Sequence, residues 1–85
     1  NNMKKLEKIE ELAQGVSVVK FFADWCGPCR VYTPIMENVS KHIDSVSFYS
    51  VNTDERPDLA AKFNVNGIPA TFIMKDGKIA ISRNT

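Results

Sequence analysis

The stretch from Val16 to Ala23 constrains the fold of this 85-residue chain more than any other part of it. Its residues are apolar or aromatic apart from Ser17 and Lys20, a pattern typical of a strand that is covered on both faces. Such a strand lies inside a sheet that has helices on either side. Because the strand leads directly into the two cysteines of the chain, Cys26 and Cys29, both thiols are expected at its end.

Helical periodicity marks a segment on either side of this strand. The first, Met3 to Gln14, carries spaced apolar residues among Lys and Glu and stops at Gly15, which predicts an amphipathic helix. The second runs from about Cys26 to about Ile43, where apolar residues recur every four positions. Pro34 lies inside it and is expected to kink the helix one turn beyond the cysteines, because proline removes a helix hydrogen bond.

The second half of the chain predicts three further strands and one short helix. Val46 to Val51 alternates as a strand, and Pro57 opens a short helix. Ala70 to Met74 and Lys78 to Ser82 flank Asp76-Gly77, which is a strong hairpin signal. Strands that alternate with helices predict an α/β fold, a mixed sheet with helices on both faces, in one domain over residues 1–85.

Composition and charge exclude several classes of protein. With 11 basic and 10 acidic residues the net charge is +1, and without clustered Lys and Arg no nucleic-acid partner is expected. The apolar segments are far shorter than the roughly 20 residues of a membrane span. The amino terminus shows no secretory signal, so a cytoplasmic chain is expected, with a processed domain of an exported oxidoreductase as an alternative.

The spacing of the cysteines predicts redox chemistry at the start of a helix. Two thiols three positions apart cannot join distant parts of a fold. A helix that begins near Cys26 sets this sulfur among unpaired backbone N–H groups, and such positions lower a thiol pKa from about 8.5 to about 7. Cys26 is therefore the predicted nucleophile, and Cys29, one turn on, can close a disulfide with it.

The two residues between the cysteines support this interpretation. Pro28 suits a first turn because its absent N–H would have no partner there, and Gly27 is expected to leave the Cys26 sulfur open to a large partner. Zinc is the weaker alternative, since Cys26, Cys29 and His42 reproduce three ligands of a C2H2 finger. The fourth ligand is absent, and His42 is expected on the exposed face of the helix, so no metal is expected.

Beyond the cysteines, a longer set of residues occurs in a distinctive order and spacing between about Val18 and Arg83: Ala23, Trp25, Cys26, Gly27, Pro28, Cys29, Arg30, Pro34, Asp54, Gly67, Ile68, Pro69, Ala70, Thr71, Asp76 and Gly77. In this order and spacing the chain resembles the thioredoxin family. The resemblance implies a thioredoxin-like mixed central sheet flanked by helices. It also implies that Cys26 attacks a disulfide of a target protein and that Cys29 resolves the mixed disulfide.

The resemblance further implies how targets are held and how electrons are returned. A cis bond before Pro69 would set Gly67 and Ile68 against the cysteines, where an extended target segment adds as a strand, with Trp25 and Ile68 as an apolar rim. The implied partners are disulfide-containing proteins and a thioredoxin reductase, with no bound cofactor besides the Cys26–Cys29 disulfide. The redox potential is expected nearer about −270 mV than about −120 mV.

Two departures from the family pattern concern proton transfer. Lys20 stands where thioredoxins usually carry a buried aspartate, and Ser50 where they often carry its lysine partner. A cation at Lys20 would favour thiolate and make the protein less reducing, whereas a neutral Lys20 amine would act as a base. A side chain that merely reaches solvent is the plain alternative for Lys20. Asp54, expected near Trp25, is a second candidate for assisting proton transfer if Lys20 cannot.

A further departure concerns the ends, where the first strand and last helix usual in the family are expected to be absent. The uncovered sheet face would then expose apolar area, which predicts low stability, a dimer or a shortened chain. A thioredoxin-fold binding or assembly module without turnover is the alternative function.

Overall fold

The fold is built around the strand over Val16–Phe22, which is hydrogen-bonded along both of its edges. The computed structural model describes residues 2–85. In chain order the elements are β1 at Lys4–Lys5, a 3-10 turn at Ile9–Leu12, β2 at Val16–Phe22, α1 at Gly27–Ser40, β3 at Ser47–Asn52, α2 at Pro57–Lys62, β4 at Ala70–Lys75 and β5 at Lys78–Arg83. The strand order across the sheet is β1-β3-β2-β4-β5, so β2 is central as predicted.

The pairing of the strands confirms the predicted mixed sheet. Strand β3 runs parallel to both β1 and β2, whereas β4 runs antiparallel to both β2 and β5. The β4–β5 hairpin turns at Asp76 and Gly77, whose φ angles of 50° and 83° lie in the left-handed region that glycine adopts without strain. Helices α1 and α2, like the hairpin, lie within a few residues of their predicted bounds.

The two faces of the sheet are covered differently. On one face Phe21 of β2 and Phe72 of β4 pack with Phe63, which follows α2, at ring-centroid distances of 5.1–5.5 Å. On the opposite face the ring of Tyr32 in α1 covers Lys20 of β2. Because neighbouring residues of a strand point to opposite faces, α1 and α2 lie on opposite sides of β2.

The predicted helix over Met3 to Gln14 is wrong. Residues Lys4–Lys5 form β1, so a first strand is present, although it is only two residues long. The helix is confined to the short 3-10 turn, where the Glu11 carboxylate accepts the N–H groups of Glu7 and Lys8, each at 2.8 Å. These hydrogen bonds lower the pKa of Glu11 and use the carboxylate as a cap. An extended segment followed by one turn buries the apolar residues without a long helix.

The apolar stripe of α1 is largely exposed. Periodicity located the helix, but Val31 is 62% and Ile35 53% exposed. Within residues 2–85 no helix follows β5, and Ile79 and Ile81 of that strand are 51% and 42% exposed. The association of two copies through this uncovered part of the sheet stays a prediction, which sedimentation velocity would test. None of the helices in the described part of the chain is long and apolar enough to cross a membrane.

Candidate active site

The two cysteines lie at the start of α1, as predicted. Cys26 is the N-cap residue, and its Sγ accepts the backbone N–H of Cys29 at 3.2 Å. Pro28 lies in the first turn, where its missing N–H leaves no hydrogen bond unmade. The sulfurs of Cys26 and Cys29 are joined in a disulfide, with the Cα atoms 5.3 Å apart. The local geometry therefore holds the first sulfur at the positive end of a 14-residue helix.

Both sulfurs are shielded in this oxidised state. Cys26 is 3% exposed and Cys29 1%, and they pack with Ala23 against Phe22 and Ile68. The expectation that Gly27 keeps the Cys26 sulfur open is therefore wrong for the disulfide form. A Cβ at position 27 would meet no atom within 4 Å outside residues 26–28 and the backbone of α1.

Trp25 stands beside the cysteines and is 68% exposed. Its indole Nε1 donates to the Asp54 carboxylate at 3.0 Å, which fixes the ring over the loop after β3. The sequence analysis singled out both Trp25 and Asp54. It could not predict the hydrogen bond between them, because they are 29 positions apart. Arg30 was missed as a support: its guanidinium donates to the Asp24 carbonyl at 3.1 and 3.3 Å and braces the turn that carries Trp25.

The segment before β4 reaches the cysteines from the other side. The peptide bond between Ile68 and Pro69 is cis, as the resemblance implied. Ile68 is half-buried and packs against the cysteine cluster, Pro69 is buried, and Gly67 is exposed. A backbone stretch that is partly exposed therefore lies next to the cysteine cluster.

The sequence analysis considered His42 as a zinc ligand and Pro34 as a kink in α1. His42 follows the far end of α1, where its Nδ1 contacts the Asn38 carbonyl at 2.8 Å, so it is not assembled with the cysteines into a zinc site. Within residues 2–85 no group of three metal-ligating side chains occurs. Pro34 lies inside α1 and lines a shallow recess with Cys29 and Phe22, and its kink stays a prediction.

Comparison with known proteins agrees with this geometry. A family model described as Thioredoxin matches residues 3–85. This chain belongs to the thioredoxin family. It is 40% identical over 67 residues to a thioredoxin of Chlamydia caviae, covering 79% of this chain and 66% of that protein, and 42% identical over 66 residues to a thioredoxin of Chlamydia pneumoniae, covering 78% and 65%. The X-ray structure of Fasciola hepatica thioredoxin is 39% identical with a TM-score of 0.83, covering 89% of this chain and 73% of that one.

The chain spans about two thirds of the length of the curated thioredoxins that it matches. The match includes the central strand, the cysteines, the cis-proline segment and the hairpin, all of which lie within residues 3–85. The resemblance in fold and the family assignment are thus confirmed over this part of the thioredoxin architecture.

Lys20 of β2 is buried beneath α1. It is 1% exposed, so the alternative in which its amine reaches solvent is wrong. Lys20 pairs in register with Ser50 of β3 and Thr71 of β4. Ser50 therefore lies beside Lys20, as the resemblance implied. The amine Nζ lies 4.4 Å from the centroid of the Tyr32 ring, and no acceptor hydrogen-bonds it. Sequence reasoning missed Tyr32, although it follows Cys29 by one helical turn.

The charge state of Lys20 follows from two opposing contributions. A desolvated cation over an aromatic ring gains about 2 kcal/mol. Burying an unpaired ion costs several kcal/mol even after relaxation. The cost exceeds the gain, so burial lowers the pKa of Lys20 below its ordinary value of 10.5 and favours the neutral amine.

A Lys20→Met variant is expected to be more stable than wild type at neutral pH by about 1–3 kcal/mol, because methionine fills the site without an unpaired polar atom. Because the unfolded chain binds the Lys20 proton more readily than the folded protein, wild-type stability rises with pH between the folded pKa and about 10.4. The difference in unfolding free energy between Lys20→Met and wild type should therefore become smaller as pH rises. Urea unfolding at about pH 7 and about pH 9.5 measures both quantities. A variant that is less stable at both pH values would contradict this account.

Proposed function

We propose that this chain is a protein-disulfide reductase of the thioredoxin type. The observation that carries the proposal is the position of Cys26, the N-cap of α1, in a disulfide with the residue one turn along. Once the pair is reduced, the free N–H groups of the first turn and the positive end of the helix favour a thiolate at Cys26. A thiolate is the attacking form in disulfide exchange.

The proposed reaction moves two electrons from the cysteine pair to a target protein. The Cys26 thiolate attacks one sulfur of the target disulfide, and the other target sulfur leaves as a thiolate. Cys29 then loses its proton and attacks the Cys26 sulfur, which forms the Cys26–Cys29 disulfide and releases the second target sulfur. The products are a reduced target and the oxidised pair seen in this structure.

The proposed partners follow from the surface around the sulfurs. An extended target segment would lie along Gly67 and Ile68 before Pro69, with backbone hydrogen bonds like those of an added strand and apolar contact to Trp25. Electrons would return from a thioredoxin reductase, using NADPH or a ferredoxin-linked equivalent. The proposed setting is the cytoplasm, where thiols are kept reduced and such a donor is available.

Reduction of insulin by dithiothreitol tests the proposal. The wild-type protein is expected to accelerate precipitation of the insulin B chain, and a Cys26→Ser variant to add nothing to the rate with dithiothreitol alone. Serine keeps the side-chain size and its cap hydrogen bond but cannot enter disulfide exchange. Equal rates for wild type and variant would favour a binding or assembly module over a reductase.

A Trp25→Ala variant is expected to lose affinity for protein targets while keeping its chemistry. A large exposed aromatic at the rim contributes more than 1 kcal/mol to association, so kcat/KM for insulin should fall about tenfold. The rate with a small disulfide, dithiobis(nitrobenzoate), should be unchanged, because that reagent needs no rim. Ile81→Ala on β5, an exposed apolar residue that is not assigned to the site, is the matched control. A fall in both rates would indicate that Trp25 acts on the sulfurs instead.

A further inference from the structure

The buried amine of Lys20 has no hydrogen-bond partner. Among residues 2–85, its Nζ is the one buried side-chain nitrogen or oxygen that lacks a hydrogen-bond partner. A lysine stem is long enough to reach water from most positions, but this one is held beneath α1 by the Tyr32 ring. A neutral amine in that position has a free lone pair, which can accept a proton.

Cys29, the second cysteine, lies in the same buried layer between β2 and α1 as Lys20. Side chains two apart on a strand share a face, so Phe22 lies on the Lys20 face of β2, and Phe22 packs against the cysteine cluster. On α1, Cys29 precedes Tyr32 by three positions, and residues at this spacing are neighbours on a helix surface. Lys20 and Cys29 therefore flank the same space between β2 and the first two turns of α1.

The groups that face Lys20 offer no competing base. From β3 and β4 the register partners are Ser50 and Thr71, whose hydroxyls do not titrate near neutral pH. From α1 the titratable groups are the Tyr32 phenol and, once reduced, the Cys29 thiol. Burial is the one cause that lowers the pKa of Lys20, without a contribution from a neighbouring charge. Cys29 is 1% exposed, so water has little access to its thiol.

We infer that Lys20 is the internal proton acceptor for Cys29 in the second exchange step. The inference rests on the proposed reductase function and assigns a role to a buried lysine whose amine has no hydrogen-bond partner. In the mixed disulfide, the Cys29 thiol gives its proton to Nζ, which becomes an ammonium ion over the Tyr32 ring. The Cys29 thiolate attacks the Cys26 sulfur, the Cys26–target bond breaks, and the target sulfur leaves with the electron pair.

The ammonium ion then returns its proton to the departing target thiolate or to solvent. Lys20 ends as the neutral amine favoured by burial beside the disulfide. While it is charged, the ammonium stabilises the Cys29 thiolate opposite it and keeps its contact with the aromatic face of Tyr32. No oxidant or reductant is needed beyond the target disulfide and the cysteine pair.

Stopped-flow reaction of the reduced protein with dithiobis(nitrobenzoate) separates the two exchange steps. Attack by Cys26 releases the first thionitrobenzoate, and attack by Cys29 releases the second. In Lys20→Met the first phase should be unchanged and the second slowed about 100-fold at neutral pH. The difference should shrink as pH rises past about 8.5, where a thiol loses its proton without help. Lys75→Met, the same change at an exposed lysine of β4, should leave both phases as in wild type.

Four results would overturn the inference. A second phase that is equally fast in Lys20→Met would exclude a role for the amine. A slowing that is independent of pH, or one shared by both phases, would show a structural effect instead of proton transfer. A wild-type protein that releases no thionitrobenzoate would overturn the reductase proposal itself, and this inference with it.

Discussion

A Cys29→Ser variant is expected to accumulate as a covalent complex with its target protein, at up to one target per chain, and to lose essentially all turnover. Cys26 keeps its place at the N-cap, and the hydrogen bond that its sulfur accepts comes from the backbone N–H of residue 29, which serine retains. The first attack should therefore proceed. The release step fails, because a serine hydroxyl does not displace sulfur from the mixed disulfide.

Non-reducing electrophoresis and intact-mass measurement detect this complex after incubation with an oxidised target such as insulin. Cys26→Ser is the matched control: it differs by the same single atom and should capture nothing. The opposite pattern, capture by Cys26→Ser and none by Cys29→Ser, would reverse the roles assigned to the two sulfurs. Addition of dithiothreitol should release the target from the complex, which identifies the link as a disulfide.

A Phe21→Ala variant is expected to lose about 3–5 kcal/mol of stability. Phe21 is completely buried, and its ring contacts those of Phe63 and Phe72 at centroid distances of 5.2 and 5.5 Å. These three rings connect β2, β4 and the end of α2, so the cavity left by alanine opens where the elements meet. Since a domain of this size has only about 5–15 kcal/mol in total, the variant should be close to unfolding at physiological temperature.

Thermal unfolding followed by circular dichroism should show a fall in Tm of about 12 °C or more. The neighbouring Phe22→Ala is the control, because the same side chain is removed from the opposite face of β2, where Phe22 is only half-buried. Its stability loss should be smaller. If Phe22→Ala costs as much as Phe21→Ala, the core is not concentrated on the α2 side of the sheet.

Local sequence patterns predicted the parts of the fold that depend on neighbouring residues. The apolar run ending at Phe22, the proline at the start of α2 and the Asp76-Gly77 turn each act through the chain next to them. The predicted amino-terminal helix failed because Lys4 pairs with Tyr49, a partner 45 positions away that periodicity does not reveal. Helical spacing of apolar residues also occurs in a segment that is first extended and then makes a single turn.

The site was predictable in its chemistry and less so in its geometry. The Cys26–Cys29 spacing pointed to disulfide exchange, and the family resemblance to the cis bond at Pro69. The burial of Lys20 could not be predicted, because it depends on how closely the Tyr32 ring of α1 approaches the sheet. The shielding of Cys26 similarly depends on Ile68, which reaches the cysteines from a segment some forty positions away.

The hydrogen bonding of β2 along both edges should keep the backbone near the cysteines fixed through repeated cycles of oxidation and reduction. A strand fixed between β3 and β4 cannot shift by itself, so the end that leads to Cys26 is anchored by a neighbouring strand on each side. The sulfurs can then separate and rejoin by small side-chain rotations above an immobile support. We expect reduced and oxidised forms to share one backbone shape, so that a partner distinguishes them by the chemistry of the thiols instead of by a change in the surface.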